Sequence, residues 1–583
     1  LTDNDPGLFF AEDGAPRSAR FGDIYYSLQD GLAESRAVFF AGCDLPQAWQ
    51  DRDRFTVLEL GFGTGLNIAA LIQLWAADRP RGARLHVFSV EGFLMDAGAA
   101  GRALAAWPEL APFTAALLGQ WPAPRHGFHH MDFPQWGVSL TLALMDVHAA
   151  LAAWQGKADA VFLDGFSPAL NGDMWSDEVL ALVGSHCRPG ARLATFTVAG
   201  AVRRGLQAAG FTVGKRPGFG RKRERLEAMF TAGHGLSRDK AMGRIAVVGA
   251  GIAGCALAYQ ARLLGVDVDL FDAEGAGAGA SGNPVALVTP RLDAGDNAIS
   301  ALFADAYAYA GALYRRVSPQ AVAGEGLSQV AGGARDISRF ARIARQALFA
   351  PGDLEVFAAG EDRDAPDAAG IRINRALWVR PAEVLDALLE GQRVRSRRMS
   401  EIPEGYDAVV LACGDGMFDW PQLRGRFDLR PVRGQVEYAA DTNAPERALS
   451  WGGYAVPFDG GLLFGATHER GDRGVDVREA DRRRNLDSLA NIMPDRAAAL
   501  AQMPLRSRAG IRVMTRDYLP AMGEVAPGVH VLTGLGARGF CLAPLLAKAL
   551  LADLMDVPSP LPLQAKNLLN ISRLMMHQTL PKR

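Results

Sequence analysis

Two α/β units in tandem, each built around a mostly parallel sheet, are the fold that this chain predicts. Three observations carry the prediction. Short apolar runs, FTVLEL at 55–60, LHVFSV at 85–90, LTLALM at 140–145, DAVFL at 159–163 and RLATFT at 192–197, alternate with stretches of helical spacing such as LNIAALIQLWAA at 66–77. Strands that are apolar on both faces belong to sheets covered by helices on both sides. The pattern restarts at Arg244 with RIAVV, after a small, polar stretch, AGHGLSRDKAMG at 232–243, that reads as a linker. Each pattern also opens with a glycine-rich turn directly after its first strand. The expected domains are therefore 1–235 and 243–583. In the second, a section of mixed character at 293–400 interrupts the pattern. Fold signals resume at 406–413, 431–436, 454–467 and 529–551.

Bulk properties agree with a chain of several folding units. It has 583 residues, 49% hydrophobic and 22% charged, enough apolar material for more than one core. The net charge of −2 excludes a chain that is basic throughout, so nucleic-acid contact would need a local patch. Five scattered cysteines (Cys43, Cys187, Cys255, Cys413, Cys541) form no C-x-x-C pair. That argues against a disulfide framework or structural zinc and fits a reducing, cytoplasmic setting; no metal is expected. The opening LTDNDPGLFF lacks a basic segment followed by an apolar one, and no 18-residue uncharged apolar run exists. Neither a signal peptide nor a membrane span is expected. The absent initiator Met points to a trimmed or incomplete start.

The first glycine turn lies in LELGFGTGLN at 58–67. Its spacing is acid-x-Gly-x-Gly-x-Gly: Glu59, Gly61, Gly63, Gly65. Two further acids, Glu91 and Asp146, end neighbouring predicted strands, on the sheet edge where open α/β sheets bind ligands. VFLDGFSPALNGDMW at 161–175 ends another strand at Asp164. These features resemble Rossmann-like methyltransferases that use S-adenosyl-L-methionine. The resemblance implies that the loop wraps the donor's amino-acid and ribose portion and that Glu59 lies near its ammonium. It also implies that Glu91 takes the ribose hydroxyls and Asp146 meets the adenine edge. Asp164 would stand beside the donor methyl. An unperturbed Asp, with a pKa of about 3.9, is a weak base for an ammonium. Positioning an acceptor amine is therefore its expected role, with Phe166 and Pro168 as an apolar wall.

The second turn is Gly249-Ala250-Gly251-Ile252-Ala253-Gly254, between RIAVV and a helix, with Asp272 ending the next strand. The first glycine allows the tight turn, the second lets backbone approach a pyrophosphate, and the third allows close helix–strand packing. The helix N-terminus favours phosphate, and the acid suits a ribose hydroxyl. Beyond it stand GASGN at 279–283, VVLACGDGMF at 409–418, AGIRVMTRDYLPAMG at 509–523 and VHVLTGLGARGFCLAPLLAKAL at 529–550. Together these resemble the D-amino-acid-oxidase/glycine-oxidase family of FAD enzymes over roughly 244–555. The resemblance implies an FAD domain with an inserted α+β substrate subdomain. It places Ser281, Gly282, Gly536, Arg538 and Gly539 near the cofactor and matches Arg512 to a carboxylate-binding arginine. A guanidinium fork suits a carboxylate bidentately.

DGLAESRAVFF at 30–40, DGFSPALNGDMW and the flavin motifs extend the likeness to nearly the whole chain. It resembles the bifunctional proteins of tRNA 5-methylaminomethyl-2-thiouridine biosynthesis. That likeness implies tRNA as partner, oxidative removal of a carboxymethyl group by the FAD domain, and methylation of the freed amine by the other. A pair acting on free small secondary amines is the alternative. Residues 203–225 hold eight Lys/Arg and one acid. From them Arg221, Lys222 and Arg223 are expected on phosphate, with Arg393, Arg395, Arg397 and Arg398 a second cluster. A flipped base should stack on aromatic rings, though none can be assigned. A monomer is expected, since both activities are already joined.

Overall fold

The structure is a computed structural model that describes residues 7–10, 16–26, 30–220, 222–232, 242–295, 298–421, 423–441 and 444–576. Arg221 and most of the predicted linker lie outside the described residues. The chain divides into two compact units, residues up to 241 with Met555–Leu563, and Met242–Leu554 with the residues from 564 onward.

In the first unit a short helix, α1 (Gly31–Ser35), precedes an eight-stranded sheet. Its strands are β1 (Arg54–Leu60), β2 (Arg84–Glu91), β3 (Gly127–Phe133), β4 (Val138–Leu144), β5 (Ala158–Leu163), β6 (Cys187–Thr195), β7 (Phe211–Pro217) and β8 (Glu224–Phe230). They lie in the order β3-β4-β2-β1-β5-β6-β8-β7. The five central strands are parallel. They are the predicted apolar runs, and β1 is buried from Phe55 to Leu60. The antiparallel edges β3, β7 and β8 were not among the predicted strands. The reason is plain for β7: only Phe211 is buried and its last three residues are exposed, so it carries no apolar run. Helix α2 (Leu66–Asp78) follows the first glycine turn.

The second unit has a six-stranded sheet and a ten-stranded one. The first sheet contains β9 (Arg244–Val248), β10 (Asp267–Asp272), β11 (Val394–Ser396) and β12 (Ala408–Leu411), with α3 (Ile252–Leu264) between β9 and β10. After β13 (Leu429–Ala440) and β14 (Arg506–Thr515), which belong to the larger sheet, β15 (Ala521–Ala526) and β16 (Val529–Thr533) complete it. Its order is β11-β10-β9-β12-β16-β15, parallel except at the β15 edge. The ten-stranded sheet is formed by insertions into this pattern. The segment 454–467 opens with a hairpin, Tyr454–Phe458 and Gly461–Gly465. Asp459 and Gly460 make its turn with φ 44° and 72°, as a two-residue hairpin turn requires. The segment 529–551 is β16 followed by a helix from Gly539 to Met555.

No helix among the described residues is long and apolar enough to cross a membrane.

Candidate active sites

Both glycine turns stand where strand order reverses. In the first unit the chain runs from β1 to β2 on one side and to β5 on the other, which opens a crevice at the strand ends. Gly61, with φ 91°, fills its floor: a Cβ there would fall 2.9 Å from the Gly165 nitrogen. In the second unit the reversal lies between β9 and β12. A Cβ on Gly249 would fall 2.5 Å from the Ala412 oxygen, and one on Gly254 would fall 1.7 Å from the Gly249 oxygen. Only glycine tolerates these approaches.

In the first crevice, four adjacent strands in the order β4-β2-β1-β5 deliver Asp146, Glu91, Glu59 and Asp164. Glu91 accepts the N–H groups of Gly63 (2.9 Å) and Phe93 (2.8 Å), which fixes the loop against β2. Glu59 is fully buried. Its Oε2 accepts from the Ser89 hydroxyl at 2.5 Å, while Oε1 has no partner among the described residues. Burial pushes its carboxyl up to about 8. A buried carboxylate oxygen without a donor is costly, and the ammonium of S-adenosyl-L-methionine would satisfy it. Asp146 caps the following helix, accepting from the Ala149 N–H at 3.0 Å. Gly65, with φ 80°, precedes α2; a Cβ there would meet Leu117 at 2.9 Å.

Asp164 lies at the mouth of this crevice. Its Oδ2 accepts from Asn67 Nδ2 at 2.9 Å and its Oδ1 from the Gly165 N–H at 2.8 Å. Burial pushes its carboxyl up to about 6. Asn67 is held in turn by Ser35, whose hydroxyl donates to Asn67 Oδ1 at 2.7 Å. Over the mouth the expected Phe166 is joined by two rings that the sequence did not reveal, Phe21 and Tyr25. Phe166 stacks on Phe21 at 4.7 Å and meets Tyr25 edge-on at 5.2 Å. A Cβ on Gly63 would fall 3.3 Å from Tyr25. Arg20 lies 4.0 Å over the ring of Phe93. Ser167 donates its N–H to Asp23, tying residues 21–25 to the DGFSP loop. Pro168 is half-exposed on that loop.

In the second crevice the Asp272 carboxylate accepts from the Ala250 N–H at 2.8 Å and from Glu274 and Gly275. Ser281 caps α3, accepting the Ile252 N–H at 3.0 Å. Arg508, unmarked in the sequence, donates to the carbonyls of Gly282, Ala278 and Gly279 and shapes that loop. The turn Gly536–Arg538 leads into the helix from Gly539, where a Cβ would lie 3.1 Å from Ile252. That helix start therefore packs against the start of α3. Arg538 Nε and Thr533 Oγ1 are buried there without partners among the described residues. The close glycine approaches and these two orphaned polar atoms fit an FAD, whose polar atoms would satisfy them. Arg512 projects from β14 across Gly434, where a Cβ would fall 2.4 Å from its Nη2. That same Nη2 donates to the Thr467 oxygen at 3.0 Å. Tyr454 and His468 feel its charge.

Four of the eight basic residues in the stretch 203–225 are paired within the chain. Lys215 meets Glu224 at 2.7 Å, Arg216 meets Glu227 at 3.5 Å, Lys222 meets Glu34 at 3.0 Å and Arg225 meets Glu227 at 2.6 Å. Arg203, Arg204 and Arg223 are exposed. In the second cluster Arg395 holds Asp269 at 2.6 Å.

Residues 108–231 match the family described as S-adenosyl-L-methionine-dependent methyltransferase, and residues 244–554 match the FAD dependent oxidoreductases. A tRNA 5-methylaminomethyl-2-thiouridine biosynthesis bifunctional protein MnmC from Caulobacter sp. (strain K31) is 49% identical, covering 95% of each chain. One of the same name from Caulobacter vibrioides is also 49% identical, covering 97% of each. A solved iminodiacetate oxidase from Chelativorans sp. BNC1 is 23% identical over 55% of this chain and 98% of its own, with a TM-score of 0.48. The chain belongs to the family of bifunctional tRNA 5-methylaminomethyl-2-thiouridine biosynthesis proteins, which join an S-adenosyl-L-methionine-dependent methyltransferase to an FAD-dependent oxidoreductase.

Proposed function

We propose that this enzyme carries out two successive steps on the wobble uridine of tRNA. The FAD unit oxidatively removes the carboxymethyl group from 5-carboxymethylaminomethyl-2-thiouridine. The methyltransferase unit then methylates the resulting 5-aminomethyl group to 5-methylaminomethyl. The observation that carries this reading is the match between the two sites. Arg512, spread over Gly434, suits the carboxylate of an N-substituted glycine. Asp164, at the mouth of the donor crevice, suits the primary amine left when that glycine is oxidised.

Bound FAD would accept a hydride from the methylene carbon next to the nitrogen, leaving an imine that water hydrolyses to the free amine and glyoxylate, and bound S-adenosyl-L-methionine would supply the methyl group. The protein's part is orientation and exclusion of water. Arg512 is buried enough for its pKa to fall, so a substrate carboxylate is bound in a poorly hydrated place where the ion pair strengthens. In the other site the amine must present its lone pair to the methyl carbon. With Asp164 raised to about 6, moving a proton to it from an alkylammonium of pKa about 10.4 still costs roughly 6 kcal/mol. Asp164 therefore acts chiefly by holding the nitrogen, the ammonium passing its proton to solvent before the neutral amine attacks, and Asn67 and Ser35 hold Asp164. Phe166, Tyr25 and Phe21 offer ring faces on which the flipped uracil stacks, worth ~1–3 kcal/mol per base. Glu59 takes the donor's ammonium, Glu91 its ribose hydroxyls and Asp146 its adenine edge. Gly249, Gly251 and Gly254 would let the FAD pyrophosphate approach, Ser281 and Gly282 would help hold it, and Asp272 would take the ribose. Gly536, Arg538 and Gly539 would hold the flavin. Exposed Arg203, Arg204 and Arg223 are the phosphate contacts best placed for tRNA. The working unit is a cytoplasmic monomer; light scattering giving the mass of more than one chain would refute the monomer.

The test uses tRNA bearing 5-carboxymethylaminomethyl-2-thiouridine, with and without S-adenosyl-L-methionine, and nucleoside mass spectrometry. The 5-aminomethyl product without donor and the 5-methylaminomethyl product with it are expected. Unchanged tRNA, from flavin-loaded protein that oxidises free N-substituted glycines, would move the function to small amines.

A further inference from the structure

The segment DGLAESR at 30–36 forms α1 and its two caps. Asp30 caps α1, accepting the Ala33 N–H at 3.0 Å, and also accepts the Trp107 Nε1–H at 3.3 Å. This fixes the turn that carries Glu34. Glu34 is largely buried, with 15% of its side chain exposed, and its Oε1 accepts from Lys222 Nζ at 3.0 Å. The same Nζ lies 4.2 Å from the centroid of Phe196, just beyond the end of β6. Glu34 directly precedes Ser35, which reaches Asp164 through Asn67 at 2.7 and 2.9 Å, and both charges act on that carboxyl, Glu34 raising it and Lys222 lowering it. The result is a primary alkylammonium held between a carboxylate and a ring face, on the turn that Ser35 and Asn67 tie to Asp164. Carboxylates and aromatic faces are what a desolvated ammonium requires.

Lys222 has the same head group as an aminomethyl substrate, a protonated primary amine on a CH₂. Half of its side chain is exposed (48%), and an ion pair that open contributes little to stability. Its exchange for another ammonium therefore costs little. We propose that Glu34 and Phe196 form the pocket that receives the substrate's ammonium beside Asp164, and that Lys222 fills this pocket until tRNA displaces it. The inference rests on the methylation step proposed above. It makes Glu34 a substrate-binding residue and Lys222 an internal competitor, not a phosphate contact.

The test uses the full-length, flavin-loaded protein and tRNA bearing 5-aminomethyl-2-thiouridine. Methylation kinetics are compared for wild type, Glu34→Gln, Glu34→Asp and Lys222→Met, with donor affinity measured by calorimetry as a check on folding. Glu34→Gln should raise KM for tRNA about tenfold, as loss of a charge-assisted hydrogen bond does, with kcat changed less. Glu34→Asp should recover part of the loss. Lys222→Met should leave KM unchanged or lower it, because the competitor is gone. A wild-type KM in Glu34→Gln would overturn the proposal. So would a Lys222→Met variant whose KM rises as far as that of Glu34→Gln, since the pair would then be structural or the lysine a phosphate contact. Should Glu34→Gln lose donor affinity, Lys222→Met decides alone: a KM at or below wild type supports the proposal, and one raised about tenfold overturns it. If wild type binds donor yet fails to methylate this tRNA, the methylation step itself is refuted, and the failure is visible before any variant is compared.

Discussion

Glu59 should weaken the donor-free protein in order to bind the donor. Its carboxyl, raised by burial from 4.5 to about 8, keeps its proton in the folded state across a range where the unfolded chain has lost it. The folded state thus binds more protons between about pH 4.5 and 8, and stability falls as pH rises through that window. At pH 7 the 2.5 units between 4.5 and 7 correspond to about 3 kcal/mol of lost stability, at 1.36 kcal/mol per unit. Glu59→Gln removes this dependence. The amide in turn leaves a buried polar group poorly satisfied, at a cost of ~1–3 kcal/mol. A net gain of about 0–2 kcal/mol is expected at pH 7, raising the melting temperature of the donor-free methyltransferase unit by up to roughly 8 °C, and by more at pH 8 than at pH 5. Donor affinity should fall by about 10- to 100-fold, as for loss of a hydrogen bond to a charged group. Wild-type Glu59 must ionise when the donor's ammonium arrives, so binding near pH 7 should release close to one proton. Calorimetry of binding in buffers of different ionisation enthalpy measures that release, and scanning calorimetry at the two pH values measures stability. A Glu59→Gln variant that melts below wild type at pH 8, or wild-type binding without proton release, would refute the reasoning.

Other perturbations separate the remaining parts. Gly254→Ala places a Cβ 1.7 Å from the Gly249 oxygen; backbone cannot yield cheaply, so this overpacking costs ~1–3 kcal/mol or more. The protein should purify with little flavin absorbance and still bind the methyl donor. Gly434→Ala forces the Arg512 guanidinium aside, and KM for the carboxymethylaminomethyl tRNA should rise about tenfold at unchanged flavin content, as for a lost charge-assisted bond; unaltered oxidation kinetics would refute this. Asn67→Ala frees Asp164 and should lower methylation kcat by about tenfold with donor affinity within about threefold, as measured by single-turnover kinetics and calorimetry. Reversing Arg203, Arg204 and Arg223 should weaken tRNA binding and reduce the salt slope by up to about 3, near 0.9 per phosphate. An unchanged slope would place the tRNA elsewhere.

Much of the site was legible because it is written in local pattern. A glycine with φ 91° or 105° directly after an apolar strand is a short-range requirement, and short-range requirements appear as spacing. The acids Glu59, Glu91 and Asp146 follow the same logic, since a residue near a strand's end lies near the sheet's edge wherever the strand is placed. The edge strands were not legible, because a half-exposed strand such as Phe211–Pro217 shows no apolar run.

What the sequence by itself determined, then, is two α/β patterns, each with its glycine turn, and the carboxylates at the strand ends. Tertiary structure alone decided which distant residues meet. Lys222 reaches Glu34 across 188 positions of chain, and Asn67 reaches Asp164 across 97. Arg512 crosses Gly434 because β13 and β14 pair in one register, with Val432 opposite Arg512. A run of eight basic residues reads as a charged surface, yet four of them are paired with acids, two of which, Glu34 and Glu227, lie outside the run. The physical reason is common to all of these. Backbone conformation depends on neighbours in sequence, whereas the contact of two side chains depends on how the whole chain closes.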